Sequence, residues 1–502
     1  MENNPFLNAL VNATNYGYTE NGGLKHKSTN SAVYDMFALG GAYRSRPNED
    51  CILLFKNAYA EDKNLALKCL FYLRDVRGGQ GERRFFRVCF KWLCENYPDD
   101  ARKLIKYLPE YGRYDDLWHA TEGTQLFNVA LALVEDQLHL DLECKTPSLL
   151  AKWLPSINTS SYETRRMAKI ICNELEYSNK QYRKNLSSLR NKIKVVEKLM
   201  SENRWDEIYF DEIPSKAGLI YKNAFAKRDI TAKRYEHFIK SEKTTVNAKT
   251  LYPYEIVAKA IQLRRSSNII DREAIEKYWD NLPNYLEGGN NQSIMCVVDT
   301  SGSMVRYDAA APINVAISLG IYAGERCTGP FQNHYISFAS RPQLIKIEGV
   351  DFVDKVRKIY DTSLCDNTDL CAVFNLLKET ALSSPLAAES LPNTIVVISD
   401  MEIDEGTSSW RVRNKGWTTE TAATEMEKIR EDWVKCGLKL PKLVYWNVDA
   451  RHNTILDSGD NVSFVSGCSP ILFEQVCKGV SGYQLMLDKL LNKRYEVITI
   501  EK

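Results

Sequence analysis

Ser293-Ile294-Met295-Cys296-Val297-Val298-Asp299-Thr300-Ser301-Gly302-Ser303-Met304 decides the reading of this chain. An apolar run of strand length ends in an Asp-x-Ser-x-Ser loop and leads into a helical pattern over 309–327. A strand feeding such a loop sets one carboxylate and two hydroxyls at the carboxyl edge of a sheet, where open α/β folds bind ligands. All three are hard oxygen donors, which suit magnesium or manganese rather than zinc. The same short pattern also serves as a turn with Asx and serine caps, so it does not decide the matter alone.

Two later segments bear on it. Asn367-Thr368-Asp369 precedes a helical pattern through Leu370, Val373, Phe374 and Leu377, so Thr368 falls at a helix start. Asn393-Thr394-Ile395-Val396-Val397-Ile398-Ser399-Asp400 is a second buried-strand run that ends in a carboxylate. Asp299, Ser301, Ser303, Thr368 and Asp400 thus arrive in order, each at a strand end or a helix start. They form the expected metal set, with Mg2+ or Mn2+ as the ion.

Around this centre the pattern alternates as a doubly wound fold does. Strands are expected over 335–338, 344–347, 394–399, 443–447 and 463–466. Helices are expected over 309–327, 352–360, 370–382, 422–436 and 471–476, and one more strand over 495–500. The stretch 401–421 exceeds what a strand-to-helix connection needs. It offers Glu402, Asp404 and Glu405 as internal occupants of the metal's open position. It also holds Arg411 and Arg413 between Trp410 and Trp417, which suits a nucleic-acid strand or an acidic partner.

The amino-terminal part reads differently. Apolar residues recur at helical spacing from Ala66 through Leu93, interrupted by Arg77-Gly78-Gly79-Gln80-Gly81-Glu82-Arg83-Arg84. No Gly-Lys-Ser/Thr follows, so this is no phosphate loop. It reads as a helix-to-helix turn, with a second reading in which Arg77, Arg83 and Arg84 face a phosphate backbone. Further helical patterns follow without a clean period, which predicts an irregular helical-repeat array. Residues 177–198 carry Lys180, Arg183, Lys184, Arg190, Lys192, Lys194 and Lys198 with Tyr182 among them, against Glu197 alone. That suits single-stranded nucleic acid, and a solvated helix face explains it equally. The expected division is a helical region over 1–289 and an α/β domain over 290–502.

The 66 Lys and Arg balance 65 Asp and Glu, but unevenly: residues 290–502 carry 22 against 27. The 13 cysteines are odd in number and scattered, which fits reduced thiols rather than a disulfide framework or a zinc cluster. No apolar run approaches ~18 residues, so no membrane span is expected. Nor is a secretory signal expected at Met1-Glu2-Asn3-Asn4-Pro5. A cytoplasmic location follows as the expectation.

The five metal positions in this order resemble the metal-ion-dependent adhesion site of the von Willebrand factor A family. The resemblance implies that serines and threonine ligate the ion, that the aspartates act through water, and that a partner's carboxylate fills the open position. The blocks RDVRGGQGERRFFR (74–87), YLPEYGRYDDLW (107–118), AKWLPS (151–156), YRKNLSSLR (182–190) and LYPYEIV (251–257) widen the likeness. With the metal domain they resemble a broad family of cellular and viral proteins whose helical region precedes a von Willebrand A-like domain. That family is distantly similar to the Ro (TROVE) ribonucleoproteins, whose HEAT-like repeats bind small structured RNAs and RNA ends. The implied fold is multidomain α plus α/β: an irregular HEAT-like array, then a doubly wound, Rossmann-like von Willebrand A-like domain. The implied function is a non-enzymatic RNA-binding protein with a metal-dependent docking site. A metal-dependent protein–protein adaptor without RNA is the alternative. No His pair and no Gly-x-Ser-x-Gly elbow supports catalysis, and a metal-dependent nuclease or phosphatase is the third reading.

Overall fold

A computed structural model of the 502-residue chain describes residues 15–19, 24–287, 293–306, 308, 310–362, 368–403, 425–456, 461–477 and 480–500. They fall into two compact units. One takes Met1–Cys69 with Leu251–Asn492, the other Leu70–Thr250 with Lys493–Lys502. The spatial division therefore does not run at 289/290: the described residues up to Cys69 and those of 251–287 belong with the sheet.

The sheet unit opens with a short antiparallel pair, β1 (Tyr16–Tyr18) and β2 (Leu24–His26). Its main sheet has six strands: β3 (Ile294–Asp299), β4 (His334–Phe338), β5 (Leu344–Lys346), β6 (Thr394–Ser399), β7 (Lys442–Asn447) and β8 (Val462–Ser466). Their spatial order is β5-β4-β3-β6-β7-β8, parallel throughout except for β5. β3, β6, β7 and β8 are buried at every position, because helices cover both faces of a parallel sheet. Helix Pro312–Arg326 crosses β3 closely: a Cβ on Gly320 would lie 2.6 Å from Val298 Cγ2. From β3 the chain winds outward to β4 and β5, then returns to β6 on the other side and winds outward again. The switch point lies between the carboxyl ends of β3 and β6, the place where such sheets open a crevice.

The amino-terminal segment belongs with this sheet for a physical reason. An edge strand presents unpaired backbone groups, and a covering element removes that liability. Helix Ala32–Leu39 covers β8. Tyr34 Oη accepts the Phe464 N–H at 2.9 Å, and Ser466 Oγ accepts the Gly41 N–H at 3.0 Å. A Cβ on Gly41 would sit 2.6 Å from the Ser466 carbonyl oxygen, so only glycine permits this approach.

The second unit is helical, with the longer elements at Arg83–Asn96, Phe127–Glu143, Tyr162–Glu174, Asn179–Lys192, Ser215–Lys227 and Asp229–Lys240. Helix Arg83–Asn96 buries Phe85, Phe86, Cys89, Phe90 and Leu93, a 3–4 spacing that makes one apolar face. The glycine-rich segment is a helix-to-helix turn that wraps Asp75. Gly81 adopts φ +67°, and its N–H donates to the Asp75 carbonyl oxygen at 3.1 Å. Within the same unit the expected strand over 495–500 is absent. A 3-10 turn, Lys493–Tyr495, stands there instead, with Arg494 Nη2 2.8 Å and Tyr495 Oη 2.9 Å from the Asp75 carboxylate. Side-chain bonds to the buried Asp75, with Tyr111 on the Arg494 carbonyl oxygen and Lys103 on that of Ile500, hold this tail in place of a strand ladder.

Candidate metal centre

Asp299 ends β3 and Asp400 follows β6, so the topology sets two carboxylates across the switch point. Asp299 is fully buried. Its Oδ2 accepts the Ser399 hydroxyl at 2.6 Å and its Oδ1 accepts the Ser301 N–H at 2.8 Å. Ser301 Oγ and Ser303 Oγ stand 3.0 Å apart, and Ser303 hydrogen-bonds the Asp400 side chain. Thr368 precedes helix Leu370–Leu382, whose N-cap is Asp369, and its Oγ1 donates to the Glu402 carbonyl oxygen at 3.3 Å. Asp299, Ser301, Ser303 and Asp400 are thereby linked through hydrogen bonds at one sheet edge, and Thr368 bonds the backbone just after Asp400.

The backbone supports the arrangement at a cost. Met401, between Asp400 and Glu402, has φ +63°, a left-handed conformation that a long side chain rarely adopts. The Met401 N–H donates to Ser399 Oγ at 3.0 Å, and the Glu402 N–H to Asp400 Oδ1 at 3.3 Å. This turn ties the Asp400 carboxylate to the backbone that follows it. Glu402 Oε1 lies 3.1 Å from His452 Nδ1 and 3.5 Å from Thr454 Oγ1. Glu402 is thus held by His452 and Thr454, and its charge still adds to the rise at Asp400. Asp404 and Glu405 lie outside the described residues, as do Arg411 and Arg413.

Two residues that sequence reasoning missed hold the two carboxylates. Ser399, inside the β6 run, orients Asp299. Arg451, in the segment after β7, brings Nη2 to 2.9 Å from Asp400 Oδ2. The signal for Arg451 was available: β7 ends at the same sheet edge as β3 and β6, so Asp449-Ala450-Arg451-His452 had to arrive there. Asp449 in turn pairs with Arg306 and accepts the Ser45 hydroxyl at 3.0 Å.

Burial, then the charge of Asp400, pushes the Asp299 carboxyl up to about 7, against the bonds from Ser399 and Ser301. Burial also raises Asp400, while Arg451 and Ser303 oppose the rise. Two buried carboxylates that resist simultaneous ionisation, ringed by hydroxyls, are a donor set that a divalent cation would relieve. The set is all oxygen, which fits Mg2+ or Mn2+. Among the described residues no group of three or more His, Cys, Asp or Glu side chains is placed to hold a metal. The set instead combines two carboxylates with three hydroxyls.

The basic residues divide. Lys180, Arg183 and Lys184 are exposed on helix Asn179–Lys192. Arg190 is not free for a ligand: its guanidinium donates to Ala151 O, Ser156 Oγ and Leu154 O at 2.8–2.9 Å. Lys192 Nζ donates to the Leu142 and Cys144 carbonyl oxygens at 3.1 and 3.0 Å, and Lys194 meets Glu212 at 3.3 Å. Tyr182 is buried, with its hydroxyl on Pro155 O, so it offers no stacking surface. In the glycine-rich turn Arg77, Arg83 and Arg84 are exposed, and Arg77 donates to the Glu110 carbonyl oxygen.

Comparison with known families covers most of the chain. Residues 19–111 and 100–287 match a family described as Domain of unknown function (DUF2828). The chain belongs to the DUF2828 family. Residues 293–480, which hold all six strands of the main sheet, match a second family described as Domain of unknown function (DUF7788). An uncharacterized protein of Acanthamoeba polyphaga mimivirus is 27% identical over 504 aligned residues. That alignment spans 92% of this chain and 84% of the viral protein. In this DUF2828 chain no helix among the described residues is long and apolar enough to cross a membrane.

Proposed function

We propose that this chain is a non-enzymatic binding protein whose sheet-edge crevice docks a partner's carboxylate through a divalent cation. The observation that carries the reading is the convergence of Asp299, Ser301, Ser303, Thr368 and Asp400, from three separated segments, at the switch point between β3 and β6. This arrangement is similar to the metal-ion-dependent adhesion site of the von Willebrand factor A family. These five residues would hold Mg2+ or Mn2+. Bound there, the ion supplies an open coordination position for an outside carboxylate, and neutral hydroxyls around it leave much of its Lewis acidity in place. Ser399 and the Ser301 N–H fix the Asp299 carboxylate, and Arg451 holds Asp400. His452 and Thr454 occupy the Glu402 carboxylate in the absence of a partner.

Calorimetric titration of the full chain with a short Asp-containing peptide, in Mn2+ and in chelator, tests this reading. Binding in Mn2+ alone, lost in Thr368→Val, is expected. Equal binding in chelator contradicts it.

A second reading has a narrower basis. Lys180, Arg183 and Lys184 leave a basic helix face of the second unit open to solvent, which suits RNA phosphates in the manner of the Ro family. Reversing these three charges is expected to weaken RNA binding and flatten its salt dependence. An unchanged salt slope removes the reading.

A further inference from the structure

The family blocks 74–87 and 107–118 build an ion network inside the helical unit. Arg74 Nη2 and Arg87 Nε meet the buried Asp116 at 2.7 and 2.6 Å, while Arg87 and Arg113 both reach Asp115. Arg83 stands within charge reach of Arg74, Arg87 and Arg113, and has no ion pair within the described residues. Four guanidiniums thus share two carboxylates, which leaves a surplus of positive charge.

Beside the network lies an open cavity of about 420 Å³, lined among others by Arg77, Lys106, Glu110, Arg113, Tyr114 and Trp153. Three cations line it against one carboxylate. The Arg113 guanidinium carbon lies 4.0 Å from the centre of the Trp153 ring, and Arg113 Nε donates to Asp115 Oδ1 at 2.9 Å. Its Nη2 also goes to Asp115, so Nη1 has no hydrogen-bond partner among the described residues. The Lys106 ammonium has no carboxylate partner among them either; it meets only the Tyr107 ring, at 5.0 Å.

We propose that this cavity binds a nucleoside phosphate. The phosphate sits against Lys106 and Arg113 Nη1, and the base lies along the wall made by Trp153 and Tyr114. The chemistry selects this ligand class. An unpaired ammonium and a guanidinium corner suit a phosphate, for which arginine geometry is particularly apt. A bare phosphate leaves the aromatic wall unused, and so do the carboxylate side chains of an acidic peptide. The volume falls in the range of sites for small organic ligands. The Arg113–Trp153 stack alone has a structural explanation. Lys106 is solvated, and what the packing leaves unexplained is the excess of cations over carboxylates in the cavity lining and the network behind it.

The test is calorimetry at low ionic strength on the full chain, with adenosine monophosphate, adenosine and inorganic phosphate as probes. Adenosine monophosphate is expected to bind roughly tenfold or more tightly than either fragment, and Lys106→Glu to weaken it by roughly tenfold. Lys106 is exposed, so this variant folds, and its far-UV spectrum and thermal midpoint serve as the control. Two results overturn the site: equal affinity in Lys106→Glu, or a nucleotide no tighter than inorganic phosphate. A 5′-phosphorylated trinucleotide run in parallel identifies the source. Binding as tight as the mononucleotide and equally sensitive to Lys106→Glu assigns the site to a strand end, and weaker binding assigns it to a free nucleotide.

Discussion

Asp299→Asn gives a signature that depends on the whole crevice. Asp299 is fully buried, and its carboxyl is pushed up to about 7 by burial and by Asp400. An unfolded aspartate ionises near 4. A group raised in the folded state contributes stability below the unfolded value, and that contribution is lost as pH rises toward the folded value. Metal-free protein therefore loses stability between about pH 4 and pH 7 on this account, with about 4 kcal/mol as the upper limit for the group. Asparagine cannot ionise, so the variant lacks this slope. It has its own cost of about 1–3 kcal/mol, because the Ser399 hydroxyl and the Ser301 N–H both donate to Asp299 and an amide accepts through one atom only. That cost is nearly independent of pH, so the difference between variant and wild type separates the two effects. Urea midpoints in chelator at pH 5 and pH 8 are the assay, with the same change of pH applied to both proteins. Wild type is expected to lose more stability than Asp299→Asn on going to pH 8, and added Mn2+ is expected to remove that difference. Parallel pH profiles in chelator refute the claim that burial and Asp400 raise the Asp299 carboxyl.

Three other outcomes follow from particular contacts. Arg451→Met takes the positive charge from Asp400, so Mn2+ affinity rises by about one order of magnitude by calorimetry, while metal-free stability at pH 8 falls. Tyr34→Phe leaves the Phe464 N–H of β8 without its acceptor and costs about 1–3 kcal/mol in denaturant titration; a neutral result removes the account of how the edge is covered. Asp116→Ala strands Arg74, which is as deeply buried as its partner, and costs about 3–5 kcal/mol, read as a lowered thermal midpoint.

The α plus α/β organisation was legible because its strand runs are apolar at nearly every position and end in Asp or Asn. That pattern belongs to strands covered on both faces, and it located β3, β6 and β7 almost to the residue. The five candidate positions were picked out by their likeness to a known metal site, and each sits where such a run or a helix begins or ends. Arg451 and Ser399 were harder to see. One lies in a connecting segment and the other inside an apolar run, and only the sheet order brings them to Asp400 and Asp299. The pairing of residues 32–41 with β8 has no local signature either, because it joins positions more than 400 residues apart. The basic helix was legible only in part, because its composition does not give its phase. Tyr182, Leu186 and Leu189 share the buried face of Asn179–Lys192, and Arg190 follows them inward to hold the 151–156 turn. Composition suggested a stacking surface, whereas helical spacing points Tyr182 at the core.

The central claim is tested most directly by counting bound Mn2+ through its electron paramagnetic resonance signal, in chelator-cleaned full-length protein and in Ser301→Ala/Ser303→Ala. One ion per wild-type chain, with the variant binding at least roughly tenfold more weakly, is the predicted result. Equal binding by both proteins, or no bound ion in the wild type, contradicts the account.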